Sequence, residues 1–372
     1  MKFVVSCGEL LRRLQAVGRV IASKSPMPIM DNYLFVLTGE NLIITASESE
    51  MRMVTPLQVS NLEGDGKVCV PGGKLTEYLK SVPEQPVTFT INEESLQIEI
   101  ATNSGRTVQV GQPADEYPEK TPLGEGEVKE FNISAKALIT GINKTVFATA
   151  NDDLRPVMEG VFIEVKPDSV TFVATDSHKL VRYTRTDVNA GVEASFILNK
   201  KPAQLLRNVF ASEEGDVNVK YDDKNIVFTA QTYEISCRKV QGNYPQYDSV
   251  IPKNNPFHVT INRAELLGAI NRVSLYADGT KLVRLDIENS AMQVSAQDLD
   301  FSYQATDSIA CQLDGDPMSI GFKASYFIEV LNSMAADEIK IDLADPSRAG
   351  VITPLQKQEN EDELLLIMPM KI

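Results

Sequence analysis

Three times along its 372 residues this chain carries the same short phrase: an apolar strand, a polar turn, then a second short strand. The phrase reads LIITASESEMRMVT from Leu42 to Thr55, FVATDSHKLVRYT from Phe172 to Thr184, and MQVSAQDLDFSYQAT from Met292 to Thr306. In each, an alanine (Ala46, Ala174, Ala296) is followed two residues on by an acid (Glu48, Asp176, Asp298). Ala46 and Ala174 lie 128 positions apart, and Ala296 follows 122 positions later. One supersecondary unit is therefore built three times, and each copy has to cover its own apolar face. At roughly 100–200 residues per domain the length allows two to four domains, so three repeats fit.

The repeats can be followed in order. Repeat one opens with a strand at Lys2 to Ser6 and continues into GELLRRLQAVGRVIAS, where Leu10, Leu11, Leu14, Val17, Val20 and Ile21 recur at helical spacing. Pro26 and Pro28 are expected to end that helix. The hairpin NYLFVLT–LIITAS, a second helix GGKLTEYLKSV, the strands VTFTI and LQIEIAT, and a closing strand at Arg106 to Val110 follow. Repeat two retraces the series with the helices AKALITGINKTVFATA and KKPAQLLRNVF, and repeat three with NRAELLGAINRVSLY and KASYFIEVLNSM. Linkers are expected at about 111–129 and 241–256, giving domains at 1–120, 129–250 and 251–372. Two short helices and a majority of antiparallel strands per repeat define an α+β unit.

Composition narrows the partners. No apolar run reaches the ~18–20 residues needed to span a bilayer, and the start MKFVVSCGELL does not read as a signal peptide. Cys7, Cys69, Cys237 and Cys311 are far apart with no CxxC pair, so they read as reduced thiols of a cytoplasmic protein rather than metal ligands. The formal net charge of −15 argues at first against nucleic acid. The predicted helices, however, carry Arg12, Arg13, Arg19, Lys24, Lys74, Lys80, Lys136, Lys144, Lys200, Lys201, Arg207, Arg263, Arg272 and Lys323 against only Glu9, Glu77, Glu265 and Glu329. The strands must bury one face under the helices, which leaves the helices' outer faces basic on an acidic body. A phosphate polymer is the natural partner for such a surface. No helix-turn-helix or zinc pattern is present, so contact would be sequence-independent. Taken singly, any one of these bases is an ordinary exposed helical residue.

With the words MKF at the start and PIM near residue 30, ATDSHKL, NYPQYDSVIPK, IGFKASYFIEVLN and the terminal MPMKI, the whole chain resembles the bacterial DNA polymerase III β subunit family, the sliding clamps. The resemblance implies three tandem clamp domains per chain and a head-to-tail homodimer forming a ring of six domains around duplex DNA. It implies no catalysis and no cofactor or metal. Its partners would be double-stranded DNA, a second copy of the chain, the replicative polymerase α subunit, the clamp loader, other polymerases, and mismatch-repair or ligase proteins that carry short linear motifs. The DNA-facing set it implies is Arg12, Arg13, Arg19, Lys24, Lys74, Lys80, Lys136, Lys144, Lys200, Lys201, Arg207, Arg272 and Lys281.

Carried over motif by motif, the family's peptide pocket falls on Arg155, Met158, Thr175, Ser177, His178, Lys179, Leu180, Pro245, Val250, Tyr326, Leu366, Ile367, Met368, Pro369 and Met370. Methionines suit a groove that accepts several partners. This chain has Ser177 where glycine is common in the family and Lys179 where arginine is common. The ring interface implied pairs Thr107, Val108, Gln109 and Val110 of one copy with Ser274, Leu275 and Tyr276 of the other, by strand addition at a free edge.

Other readings are weaker. Asp176 with His178 could be a catalytic or metal pair, but no nucleophile is near and Asp is a common cap of such turns. Gly72-Gly73-Lys74 lacks the rest of a phosphate loop. The alternative class is a repeat-built binding protein with incidentally basic helices and no ring.

Overall fold

The computed structural model describes residues 1–22, 27–119, 123–124, 128–152 and 154–372. Repeat one contains β1 (Lys2–Ser6), α1 (Cys7–Val17), β2 (Asn32–Thr38), β3 (Asn41–Ser47), β4 (Met51–Gln58), β5 (Ser60–Glu63), β6 (Gly66–Pro71), α2 (Gly72–Ser81), β7 (Pro86–Asn92), β8 (Gln97–Ala101) and β9 (Arg106–Val110). Repeat two contains β10 (Lys129–Ser134), α3 (Ala135–Thr145), β11 (Gly160–Lys166), β12 (Ser169–Thr175), β13 (Lys179–Arg185), β14 (Ala194–Asn199), α4 (Lys200–Val209), β15 (Asp216–Tyr221), β16 (Asn225–Thr229) and β17 (Glu234–Arg238). Repeat three contains β18 (Phe257–Asn262), α5 (Arg263–Ser274), β19 (Leu282–Ile287), β20 (Ala291–Asp298), β21 (Tyr303–Asp314), β22 (Met318–Lys323), α6 (Ala324–Ser333), β23 (Glu338–Leu343), β24 (Gly350–Pro354) and β25 (Glu361–Ile367). β5 pairs β1 as the end of the long β21 pairs β18, so in repeat three the same strand runs on unbroken, and the stretch SNLE that forms β5 carries no strand signal of its own.

Local chemistry sets the helix ends. The Ser6 hydroxyl accepts the Glu9 N–H at the start of α1, and 256 positions on the Asn262 side chain accepts the Glu265 N–H at the start of α5. Each cap stabilises its helix by about 1 kcal/mol. The first helix is shorter than its periodicity suggests. It ends at Val17 and passes into a 3-10 turn at Gly18–Val20. The Tyr33 hydroxyl donates to the Leu14 carbonyl and lies where a Cβ on residue 18 would sit, so packing ends the helix before either proline is reached. Pro26 itself lies outside the described residues.

The chain forms two compact units. Unit one comprises residues 1–136 and 205–239, and unit two residues 137–204 and 240–372. Unit one holds a five-stranded sheet, β5-β1-β7-β8-β9, and an eight-stranded sheet, β10-β15-β16-β17-β4-β3-β2-β6. Unit two holds one twelve-stranded sheet, β14-β11-β12-β13-β25-β24-β23-β18-β21-β20-β19-β22. All described pairings are antiparallel. Each repeat that is followed by another hands its β-hairpin edge to the closing strand of the next. Thus β17 of repeat two pairs β4 of repeat one, and β25 of repeat three pairs β13 of repeat two. The second ladder also carries the cross-strand pairs Arg185–Glu361 at 2.8 Å and Arg182–Asp362 at 2.7 Å.

Burial follows the strand period. β1 and β4 alternate inward and outward, whereas β12 is buried on both faces from Val170 to Thr175. One face of β12 lies directly under α3, where a Cβ on Gly141 would fall 2.3 Å from the Phe172 ring, so only glycine lets the helix approach this closely. The core of unit two joins Val181 and Ala174 to the inward residues of repeat three, among them Leu266, Ile270, Phe322, Phe327, Leu365 and Ile367. Each such side chain contributes roughly 1.5–3 kcal/mol by leaving water.

Candidate peptide groove, basic residues and free edges

The turn between β12 and β13 organises the groove in unit two. Asp176 Oδ1 accepts the backbone N–H groups of His178 and Lys179, both at 2.9 Å, so the carboxylate caps the turn. Ser177 takes φ +77°, the left-handed region that glycine would occupy with less strain. Arg155, just before the 3-10 turn Pro156–Met158, donates from Nε to Asp152 at 2.8 Å and from Nη1 to Ser177 Oγ at 2.5 Å. Ser177 Oγ in turn donates to Met158 Sδ at 3.6 Å. The His178 ring stacks on Tyr326 with centroids 5.4 Å apart.

The other wall is the end of β25. Leu180 pairs with Leu366 in register, the Met368 N–H donates to the His178 carbonyl at 2.8 Å, and the Met370 N–H donates to Gly321 at 2.8 Å. Leu180 and Leu366 form the floor with Val173 and Ala349, flanked by Phe162, Tyr244, Tyr247 and Ile251. Phe162 stacks on Tyr244 at 4.9 Å. Val250 is 58% exposed and Met368 38% exposed. The candidate groove is thus this apolar cluster with Val250 and Met368 exposed beside it and Arg155 and His178 on the adjoining turns, a set of side chains suited to an extended apolar segment.

Two of the residues expected in the groove do other work. Lys179 is buried, with its ammonium bonded to Asp176 at 2.6 Å and to Glu329 at 3.0 Å and lying over the Tyr326 ring. Burial alone would lower its pKa, but the two carboxylate hydrogen bonds outweigh that and hold it above its ordinary value. That charge braces the turn and is not offered to a ligand. Ile367 is fully buried in the opposite core, because along β25 successive side chains alternate faces and Leu366 takes the groove side. Conversely, Phe162, Tyr244, Tyr247 and Ile251 line the floor. The phrase NYPQYDSVIPK already held three of these. Phe162 could have been found only by pairing it across β11 and β12 with Val173.

The basic residues separate by environment. Arg12, Arg19, Lys74, Lys80, Lys136, Lys201 and Lys281 are exposed, and Arg13, Lys200 and Arg207 are half-buried. Arg13 lies over the Tyr233 ring at 5.4 Å, and Lys200 donates to Asn151 at 2.8 Å. Arg272 is exposed but engaged by Asp307, with Nε donating at 2.7 Å. Lys281 stands outside any helix, in a left-handed turn with φ +58°. Lys24 lies outside the described residues. Lys144 is a correction. Its ammonium bonds both oxygens of Glu363, at 2.9 and 3.0 Å, and the Ser333 carbonyl, with little of either side chain exposed. Burial pushes the Glu363 carboxyl up against the pull of Lys144. Lys144 therefore belongs to the packing of unit two, not to a DNA-facing surface.

Of the strand edges left open among the described residues, two fall where the ring interface is expected. β9 pairs only β8, leaving one side of Arg106–Val110 open, with Val108 and Val110 exposed. β21 pairs β18 only from Cys311 onward, so from Tyr303 to Ala310 its second side is open. Beside that edge Leu275, Tyr276, Leu299, Phe301 and Tyr303 are all exposed, with Tyr276 and Phe301 both packed against Tyr303. Ser274 ends α5 and its hydroxyl donates to the Asn271 carbonyl. Leu299, Phe301 and Tyr303 were not singled out by sequence, although the apolar turn LDFSY was in plain view.

Among the described residues no group of His, Cys, Asp and Glu is arranged to hold a metal ion, and no helix is long and apolar enough to cross a membrane. Burial pushes the Cys69 and Cys237 thiols up to about 12, which makes them inert packing groups.

Antiparallel sheets with helices, repeated three times and with the closing strands of repeats two and three lent to the repeat before, define a protein of the DNA-clamp fold. Models of the DNA polymerase III beta subunit match the whole chain in order: the N-terminal domain over residues 1–121, the central domain over 132–246 and the C-terminal domain over 248–371. Relatives named beta sliding clamp include that of Synechococcus elongatus, 28% identical over 95% of this chain and 96% of its own, and that of Pseudomonas putida, 26% identical over the full length of both. The crystal structure of the DNA polymerase III beta subunit of Thermotoga maritima superposes with a TM-score of 0.90 at 26% identity, covering all of this chain and 99% of that one. That of Pseudomonas aeruginosa superposes with a TM-score of 0.93 at 23% identity over the full length of both, a likeness of fold. The chain belongs to the DNA polymerase III beta subunit family, the sliding clamps of DNA replication. The alternative of a repeat-built binding protein outside that family finds no support.

Proposed function

We propose that the protein is the non-catalytic processivity clamp of a replicative DNA polymerase. Two copies join head to tail into a ring around duplex DNA, and the groove of unit two tethers the polymerase and its associated factors. One observation carries the ring. In the two junctions within the chain, a closing strand pairs the hairpin edge of the repeat before it, β17 on β4 and β25 on β13. The remaining closing strand is β9 and the remaining hairpin edge is that of β21. A second copy supplies each with the other, and the same step repeated closes a ring, since a heterologous contact that returns on itself needs no further edge. The exposed cluster of Leu275, Tyr276, Leu299, Phe301 and Tyr303 gives that junction an apolar centre. Domains at 1–120, 129–250 and 251–372 are the units so joined.

The exposed Arg12, Arg19, Lys74, Lys80, Lys136 and Lys201 are assigned to the duplex, with Arg13, Lys200 and Arg207 in support. Contact through phosphates alone leaves the ring free to slide. Tethering raises the effective concentration of polymerase at the primer end without any chemistry by the clamp. Solution mass by light scattering tests the ring directly. A mass near twice the 41.0 kDa chain at micromolar concentration is expected, and a strict monomer would overturn the closed ring.

A further inference from the structure

The groove of unit two has a counterpart in unit one. The turn before β4 is closed by the Glu48 N–H on the Met51 carbonyl, as the Asp176 N–H closes on Lys179 before β13. The Arg238 N–H donates to the Glu50 carbonyl as Met368 does to His178, and Cys69 bridges Gln112 as Ile197 bridges Val240. In this correspondence Met30 stands for Met158, Ser47 for Thr175, Tyr117 for Tyr244 and Arg52 for Leu180. The backbone cleft is thus built twice, but its chemistry is inverted.

Residues 47–52, Pro118, Glu119 and 236–238 enclose about 120 Å³. Where Leu180 floors the first groove with hydrocarbon, Arg52 floors this one with a guanidinium. Its Nη1 donates to the Pro118 carbonyl at 2.7 Å, and its buried Nε–H has no partner among the described residues. Ser47, only 4% exposed, lines the same cleft, and its hydroxyl faces that of Tyr117 without either making a well-formed hydrogen bond. Buried donors without acceptors are costly unless a ligand or solvent meets them. Around them stand Glu48, Glu50 and Glu119, which outnumber the one further cation of the rim, Arg238. A lone anion would be repelled by this rim and a lone cation by the floor. A ligand carrying a carboxylate and, a residue away, a basic group satisfies both.

We infer that this cleft is a second peptide-docking site, which seats an acidic side chain on Arg52 and Ser47 while an adjacent basic residue meets the glutamate rim. The inference rests on the reading of the unit-two groove as a peptide site. The test is a backbone NMR titration of the full-length, deuterated protein with N-acetyl-glutamyl-lysine amide. Saturable shifts confined to residues 47–52, 118–119 and 236–238 are expected. Ser47→Ala and Arg52→Leu, with melting curves unchanged, should each weaken binding by about tenfold or more. The small Ser47→Ala change keeps the test decisive if Arg52→Leu misfolds. Absence of saturable shifts at this cleft, or equal binding of the glutaminyl control that lacks the carboxylate, overturns the inference and leaves the buried donors to solvent. N-acetyl-leucyl-phenylalanine amide, titrated in parallel, reads the unit-two groove through residues 175–180 and 366–370. Its failure would count against that groove alone, and failure of the acidic probe alone would count only against the second site.

Discussion

Lys136 and Lys144 occupy the same helix, α3, and carry the same charge, yet the fold uses them oppositely. Lys136 is exposed, whereas Lys144 is held by Glu363 and the Ser333 carbonyl. Removing one partner of a buried ion pair strands the other. Lys144→Ala should therefore destabilise the protein by about 3 kcal/mol, and Lys136→Ala by no more than about 0.5 kcal/mol. Urea unfolding of the two variants compares them directly. The sign of the pH dependence follows from Glu363, whose folded pKa is raised above its unfolded value. A raised carboxyl favours the fold below its unfolded pKa and loses that advantage as pH rises through the folded one. The Lys144→Ala deficit should accordingly shrink on acidification, as Glu363 takes up a proton. A deficit that grew instead would mean Glu363 is not the group stranded. The same logic separates Lys179 from its neighbours: nothing in ATDSHKL distinguishes a lysine that braces a turn from one that greets a ligand, until Asp176 and Glu329 are seen around it.

Among the elements, β9 and β21 are the informative pair. A free strand edge invites pairing, and this chain does little to blunt either one. Val108 and Val110 are exposed on β9, and the turn before β21 presents Leu299, Phe301 and Tyr303. The polar Thr107 and Gln109 are the half-buried positions of β9, so its exposed face is more apolar than the letters RTVQV suggest. Leu275→Glu, at a residue 78% exposed in the single chain, should cost the monomer almost nothing while placing a charge in the apolar centre of the junction. Sedimentation at micromolar concentration is expected to show a folded monomer. A dimer of unchanged affinity would move the interface away from this edge. The hairpin turns show how one element diverges under a common backbone. Leu180 and Arg52 occupy equivalent positions, one under an apolar trough and the other under a polar cleft.

At the level of the whole molecule, the net charge of −15 and the exposed bases on its helices are compatible only if the two signs are kept apart. Phosphate contacts alone weaken steeply with salt. A ring held topologically does not need them to stay on a closed circle. Once loaded, the protein should remain on nicked circular DNA through a high-salt wash and be lost when the circle is cut. Equal release from circular and linear DNA would remove the topological part of the proposal while leaving phosphate binding intact.

The threefold spacing, the α+β character, the six helices and their excess of Lys and Arg were all legible along the chain, because each depends on local period or composition. The resemblance carried by ATDSHKL and the MPM tail also implies that the two lie near one another, and the Met368 N–H does meet the His178 carbonyl. What the sequence could not decide is which side of a strand or helix meets which neighbour. Leu366 and Ile367 are adjacent and equally apolar, but only the pairing of β25 with β13 sends one to the groove and the other to the core. Lys144 looks like any basic helical residue until Glu363 arrives from 219 positions away. The open edge of β21 is likewise invisible in its letters, since an edge is the absence of a neighbour in space. Local pattern specified the parts of this protein, and long-range pairing assigned them their work.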